Sequence, residues 1–334
     1  MSETPHIVIA GAGSIGCFVG GCLILSGHKV SLLGRGQTAA RVMADGLILS
    51  STDSKSITLP PEKAGMTTDP AILADADMIL VAVKSGGTED MARLIAEHAK
   101  AEAPVVSLQN GVTNADKLRA ILPGRDVRGG MVPFNVVQLP NGGFHRGTIG
   151  DLVIESGPTP IAPILSNTLI GCEETDDIAA VSWGKLLINL NNALNALSGL
   201  PLKQQLSDRG WRQVMAAQMT EGLTVLHAAG IEPKPATPLP PKAIPAIMRL
   251  PTFLFKIVAA NMFKIDDKAR SSMWEDLDRG RKTEIDELQG AIVALGEKVG
   301  VATPMARAVL AKVKAAEDAG AGSPGISSGA LLGV

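Results

Sequence analysis

The stretch from Ile7 to Arg35, IVIAGAGSIGCFVGGCLILSGHKVSLLGR, constrains this chain more than any other. A short apolar segment, Ile7 to Ala10, reads as a strand and runs into Gly11-Ala12-Gly13-Ser14-Ile15-Gly16. An apolar helix to about Ser26 follows, and a second strand ends near Leu33. A GxGxxG string carries meaning in such a setting of strand, glycine turn, helix and strand. Gly11 serves the tight turn, Gly13 lets a pyrophosphate approach the backbone, and Gly16 lets the helix pack closely on the sheet. Unpaired N–H groups and the positive end of the helix dipole then face the phosphates. Gly11, Ala12, Gly13, Ser14, Ile15 and Gly16 are therefore expected to cradle a dinucleotide.

No charged residue lies between Ile7 and Gly27, which raises a membrane span or a secretion signal as rivals. Five glycines interrupt the run, no basic flank precedes it, and Gly27-His28 turns directly into another strand, so both rivals are disfavoured. After the second strand stands Arg35, where an NAD site usually carries Asp or Glu for the ribose 2′-hydroxyl. A cation there suits the 2′-phosphate of NADP, the alternative being a solvated loop arginine.

With 334 residues the chain is too long for one core of ordinary size and predicts two domains. A net charge of −2 supplies no field for nucleic acid or an anionic membrane and favours a small ligand. Cys17, Cys22 and Cys172 and the scattered histidines show no metal-ligand spacing, so neither a metal nor disulfides are expected, and a cytoplasmic location follows. Tyrosine is absent, which excludes any mechanism with a tyrosine acid.

Beyond Arg35 a polar helix over about 38–44 precedes two short segments, 46–49 and 56–59, that look like an inserted hairpin. Asp77 to Val83 is a continuous apolar run suited to a buried central strand, and Lys84 follows it. A helix over about 89–101 leads to a second such strand, Pro104 to Leu108, which ends in Gln109-Asn110-Gly111. Lys84 and Asn110 thus stand at the carboxyl ends of neighbouring strands, the edge where open α/β sheets bind ligands. A surface lysine and an Asn-Gly turn are the plain alternatives. From Val127 onward, segments 132–139, 144–147 and 152–155 read as antiparallel strands finishing the sheet. A helix over about 161–170 and the acidic stretch Glu173 to Asp177 end the first domain, 1–177.

The second domain, 178–319, shows helical periodicity and almost no strand signal. In the segment 182–197, Leu186, Leu190, Ala193, Leu194 and Leu197 form an apolar stripe, while Lys185, Asn189 and Asn192 share the opposite side. Asparagine is a poor helix former, so four in one helix suggest that the amides hold something. Downstream, Glu284 projects onto the apolar stripe of Leu288, Ala291 and Leu295. A carboxylate there needs a cation or donor, with Lys185 the natural partner and Arg279 or Arg281 the structural alternative. The proline-dense stretch Pro233 to Pro251 is expected to form no regular element, and 320–334 is expected to be a flexible Gly/Ser/Ala tail.

Gly11 to Gly16, Arg35, Lys84, Asn110, Trp183-x-Lys185-Leu186-x-x-Asn189, Ser271-Ser272-Met273 and Thr283-Glu284-Ile285-Asp286 occur in an order and spacing that resembles the ketopantoate reductase family, also called 2-dehydropantoate 2-reductases. The resemblance covers about Ile7 to Lys314 and implies an α/β fold, an N-terminal Rossmann-type dinucleotide-binding domain followed by an all-α C-terminal domain. It implies NADPH-dependent reduction of the 2-oxo group of ketopantoate in pantothenate synthesis. Lys185 would be the general acid, and Glu284 would orient it and bind the substrate hydroxyl. Ser272 would take the carboxylate, and Asn189 the substrate, with Asn192 standing in for a family asparagine one residue later. Asn110 would meet the substrate and the nicotinamide edge, and Lys84 would lie by the cofactor. Two positions depart from the family pattern, Ala193 and Ala269, where the family tends to carry asparagine. They leave room for a related reductase of another branched 2-oxo acid; a non-catalytic NADP-binding sensor is the third reading. A homodimer is left open, and no nucleic acid or membrane partner is expected.

Overall fold

The structure, a computed structural model, describes residues 4–52, 54–259 and 269–333. The chain divides into two compact units, Met1–Ile178 and Ala179–Val334.

The strands of the first unit are β1 (His6–Ala10), β2 (Lys29–Leu33), β3 (Leu47–Ser51), β4 (Ser54–Leu59), β5 (Met66–Thr67), β6 (Met78–Val81), β7 (Val105–Ser107), β8 (Val127–Met131), β9 (Val136–Gln138), β10 (Phe144–Arg146), β11 (Leu152–Glu155) and β12 (Cys172–Thr175). Its helices are α1 (Ser14–Leu25), α2 (Gly36–Asp45), α3 (Pro61–Ala64), α4 (Thr88–His98), α5 (Asn114–Ile121) and α6 (Ala162–Leu165). Eight strands form one sheet in the order β12-β11-β8-β7-β6-β1-β2-β5. From β8 to β5 all neighbours are parallel, and the order reverses at β1, which lies between β2 and β6. This reversal creates the crevice at the carboxyl ends of the strands where such sheets take ligands.

Both faces of the centre of the sheet are buried, which is why β1, β6 and β7 run without a polar–apolar alternation. Ile7 and Ile9 of β1 pack with Leu32, Leu80 and α1 on one face. Val8 and Ala10 pack with Ile79, Val81, Met91 and Ile95 on the other. The charge-free α1 has a specific reason for being apolar all round. A Cβ on Gly20 would collide with Leu32 of the main sheet, and one on Gly21 would collide with Leu49 of β3, so the helix is squeezed between two sheets. Among the described residues no helix is long and apolar enough to cross a membrane.

The second sheet corrects the sequence reading. The hairpin of β3 and β4 forms antiparallel as expected, but β9 and β10 do not finish the main sheet. They join that hairpin in a four-stranded sheet, order β4-β3-β10-β9, with Phe144 paired to Leu49. The main sheet is extended instead by β8, whose Arg128 and two glycines conceal a strand. Arg128 is buried and ion-paired to Asp126 at 2.7 Å. Only β11 is antiparallel to its neighbour β8, and β12, taken from the acidic stretch, closes the edge parallel to β11. The helix expected over 161–170 stops at Leu165, because Asn167 turns the chain by accepting from the N–H groups of Leu169 and Ile170.

Among its described residues the regular structure of the second unit is helical: α7 (Ile178–Asn189, begun at the last residue of the first unit), α8 (Asn191–Ser198), α9 (Leu202–Ser207), α10 (Arg209–Ala228), α11 (Ile244–Arg249), α12 (Thr252–Val258), α13 (Ser272–Asp278), α14 (Ile285–Val299) and α15 (Pro304–Ala319). The long α10 buries Val214, Met219, Val225 and Leu226 at its centre, and its Glu221 accepts from the N–H groups of Met305 and Ala306 to cap α15.

Two expectations are overturned here. The proline-dense stretch does form regular structure, a 3₁₀ turn at Pro241–Ala243 and then α11, with Pro245 in the first turn, where no N–H is needed. The tail is not free. Ser323 donates to the Ala196 carbonyl, the Ile326 N–H donates to Leu197, and Leu331 is fully buried.

Candidate active site

In the first unit the glycine turn crosses from β1 to α1 under steric control. Gly11 has φ +118°, and a Cβ on it would lie 2.5 Å from the Val83 nitrogen. The N–H groups of Gly11 and Ala12 both donate to the Leu33 carbonyl, at 3.0 and 2.9 Å. The turn is thereby tied to the ends of both flanking strands. A Cβ on Gly16 would collide with the Gly11 carbonyl. Gly13 differs: it is exposed, and a Cβ there would meet nothing within 4 Å. Gly13 caps α1, and no acidic residue stands in the first turn with Ser14 and Ile15. The glycine turn fits a phosphate group, with open space and N–H donors in place of side chains. Arg35 is exposed at the end of β2, and the first turn of α2 that follows also lacks a carboxylate.

Lys84 and Asn110 stand at the carboxyl ends of β6 and β7, the first exposed and the second half-buried. A buried amide and hydroxyl network that spacing does not reveal holds their loops. Gln109 donates to the Val83 carbonyl at 3.0 Å and to the Thr88 hydroxyl at 2.7 Å. Thr88 donates to Asn114, and the Asn114 amide donates to Ser85 Oγ and to the Asn110 carbonyl. Ser85, Thr88, Gln109 and Asn114 are all buried. In a low-dielectric interior such a closed network fixes the two backbone segments rigidly.

In the second unit Lys185 lies on α7 and Asn189 ends that helix, while Asn192 lies in the first turn of α8; all three are half-buried. The expected single helix is broken at Leu190, whose backbone stays helical. Enclosure pushes the Lys185 pKa down from 10.5 to about 8, and the Glu284 carboxylate pulls in the opposite direction. Gly184, just before it, carries no side chain because the Lys234 carbonyl occupies that space; Lys234 also donates from its N–H to Ala180. The proline-rich segment is thus strapped across α7 beside the lysine.

Glu284 is half-buried and stands at the N-cap position of α14, outside the helix, whereas the sequence places it on the helical stripe. Thr283 ends the run of helical spacing because its hydroxyl accepts from the Ile285 N–H and its own N–H donates to Glu317. Arg279 and Arg281 lie against Glu275 and Asp276. Ser272 is exposed at the start of α13, while its neighbour Ser271 is buried, capping α13 and donating to the Asn192 carbonyl. Two of the four asparagines hold the protein itself: Asn195 binds Leu200, Gln205 and the Ser271 N–H, and Asn191 exchanges hydrogen bonds with Gln205.

The family model for ketopantoate reductase PanE/ApbA matches residues 7–159, and the model for the C-terminal part of the same family matches 177–317. The chain belongs to the ketopantoate reductase family. A family crystal structure, from Ralstonia eutropha JMP134, superposes with a TM-score of 0.81 at 31% identity, covering 94% of this chain and 99% of that one. The 2-dehydropantoate 2-reductase of Halobacterium salinarum is 28% identical over 321 residues, 93% of this chain and 99% of that protein. A D-mandelate dehydrogenase solved with NADH and anilino(oxo)acetate shares the fold, with a TM-score of 0.79 at 22% identity and coverage of 94% and 99%. Membership makes the chain an oxidoreductase with a mixed α/β sheet unit and a helical C-terminal unit. Of the two departures from the family pattern, Ala193 is fully buried, and Ala269 is half-buried with its carbonyl accepting from the Leu202 N–H.

Proposed function

We propose that this chain reduces 2-dehydropantoate to pantoate with NADPH, with Lys185 as general acid. The observation that carries the reading is the Lys185 and Glu284 pair. A lysine with a pKa of about 8 holds its proton in about nine molecules of ten at pH 7, yet is far more acidic than an ordinary lysine. It suits an acid that must donate to a carbonyl oxygen, and its ammonium also stabilises the developing alkoxide.

When bound, the nicotinamide supplies the hydride. The chain's own residues do the rest. The Gly11 to Gly16 turn and the first turn of α1 hold the pyrophosphate, and Arg35 meets the 2′-phosphate. Lys84 and Asn110 line the cofactor's edge of the sheet, and Asn110 also meets the substrate. Asn189 and Asn192 bind the substrate and Ser272 its carboxylate, while Glu284 orients the lysine and binds the substrate hydroxyl.

The test is NADPH oxidation with ketopantoate beside Lys185→Ala and Arg35→Ser. Lys185→Ala is expected to lose roughly 10²–10⁴ in turnover while still binding NADPH. Arg35→Ser is expected to raise the KM for NADPH and leave that for NADH unchanged. Ala193 and Ala269 favour one second reading, a reductase of another branched 2-oxo acid. Equal turnover of several 2-oxo acids in a panel would support it over ketopantoate.

A further inference from the structure

We propose that Gln289, held by Gln218, is a positioning residue that sets the Glu284 carboxylate against Lys185. The inference rests on the reading of Lys185 and Glu284 as the acid and its orienting partner. Glu284 stands at the N-cap position of α14, and Gln289 lies on that helix, fully buried. Its amide donates to the Leu190 carbonyl at 2.9 Å and to the side-chain oxygen of the equally buried Gln218, on α10, at 2.9 Å. Leu190 is where α7 gives way to α8, directly after Asn189, and its own N–H donates to Leu186. One amide therefore ties the helix that presents Glu284 to the end of the helix that presents Lys185.

The surroundings of that amide are apolar. Leu187, Leu190, Leu288 and Ile292 are buried there, and Gly222 of α10 leaves room for Leu187 and Ile292 to approach its backbone. Apolar contact is non-directional, so it holds helices together without fixing their register. A hydrogen bond to one carbonyl does fix it. The amide pair is also a poor choice for packing alone, because Gln218 Nε2 and Gln289 Oε1 make no hydrogen bond among the described residues. Apolar side chains of the same volume would be at least as stable in that place. The register of α14 against α7 is what the amides supply, and it decides how closely Glu284 acts on the Lys185 charge.

The experiment measures the titration of Lys185 directly, by competitive acetylation with acetic anhydride across pH and peptide mass spectrometry, on the full chain without substrate. The chains compared are the parent, Glu284→Gln, Gln289→Met, and the double variant Gln218→Leu/Gln289→Met. Glu284 is the charged group that raises the Lys185 pKa, so drawing it away lowers the midpoint further. Glu284→Gln is expected to lower it, and both glutamine variants are expected to follow by about half a unit or more. The double variant, with both amides gone, is expected to melt within about 2 °C of the parent, so the shift is not a sign of unfolding. Gln289→Glu, which burial keeps protonated and able to donate to Leu190, is expected to restore the parent midpoint. A midpoint lowered by Glu284→Gln but unmoved in the glutamine variants would overturn the positioning role and leave the acid pair standing. A midpoint unmoved by Glu284→Gln would overturn the pair itself, and the positioning role with it.

Discussion

Lys185 carries its charge in an enclosure that disfavours it, and the consequences for stability and turnover run in opposite directions. Its pKa of about 8 in the folded chain lies below the ordinary 10.5, so between those values the unfolded chain binds a proton that the folded chain does not. This group's contribution to stability therefore rises with pH across that window, and at pH 7 the full cost of enclosing the charge is present. Lys185→Met is expected to melt no lower than the parent at pH 7 while turnover collapses. In the parent, kcat is expected to fall as pH rises through about 8, where the acid loses its proton; a flat profile from pH 7 to 9 would contradict the assignment. Gly13 offers a second separation of fold from function. With nothing within 4 Å of a Cβ there, Gly13→Ala is expected to keep the parent's melting temperature. It is expected to weaken NADPH at least about tenfold in a fluorescence titration, because the methyl would stand in the proposed path of the pyrophosphate. Spacing alone singles out Lys84, Asn110, Lys185 and Glu284 as candidates, since it depends only on strand ends and helix periodicity. Gln109, Asn114, Gln218 and Gln289 carry no such signal, because a buried amide and a solvated one are the same letter until the partner segment is in place.

Among the elements, those buried on both sides are the legible ones. β1, β6 and β7 are short apolar runs, and α1 is apolar all round because two sheets press on it. β8 gives no strand signal because Gly129 and Gly130 weaken it and Arg128 breaks the apolar run, yet Gly130 lies so close to β7 that a Cβ would sit 2.7 Å from the Ser107 carbonyl. Pairing of β10 with β3 joins segments almost a hundred residues apart, and hydrophobic periodicity does not specify partners. The strap across α7 shows the same dependence on a distant segment. A side chain at position 184 would displace the Lys234 backbone, so Gly184→Ala is expected to cost about 1–3 kcal/mol in urea unfolding, with turnover reduced as the strap beside Lys185 shifts.

On the scale of the whole molecule, the 334 residues divide into two compact units, and the second unit is completed by its own end. A chain ending at Gly320 loses the buried Leu331 and the bonds of Ser323 and Ile326 to α8, and is expected to unfold at lower urea by about 1.5–3 kcal/mol. Equal urea midpoints for the two chains would show the tail to be dispensable. Features that repeat locally are legible from the residues alone: the glycine turn between two apolar strands, the alternation of strand and helix, and the helical character of the second half. Each depends on residues within a few positions of one another. The second sheet, the hidden β8, the N-cap place of Glu284, the docking of a Gly/Ser tail and the amide network under the helices come from long-range packing. These depend on which distant segment supplies a partner and on whether water is excluded when it does, and neither leaves a periodic trace in the chain.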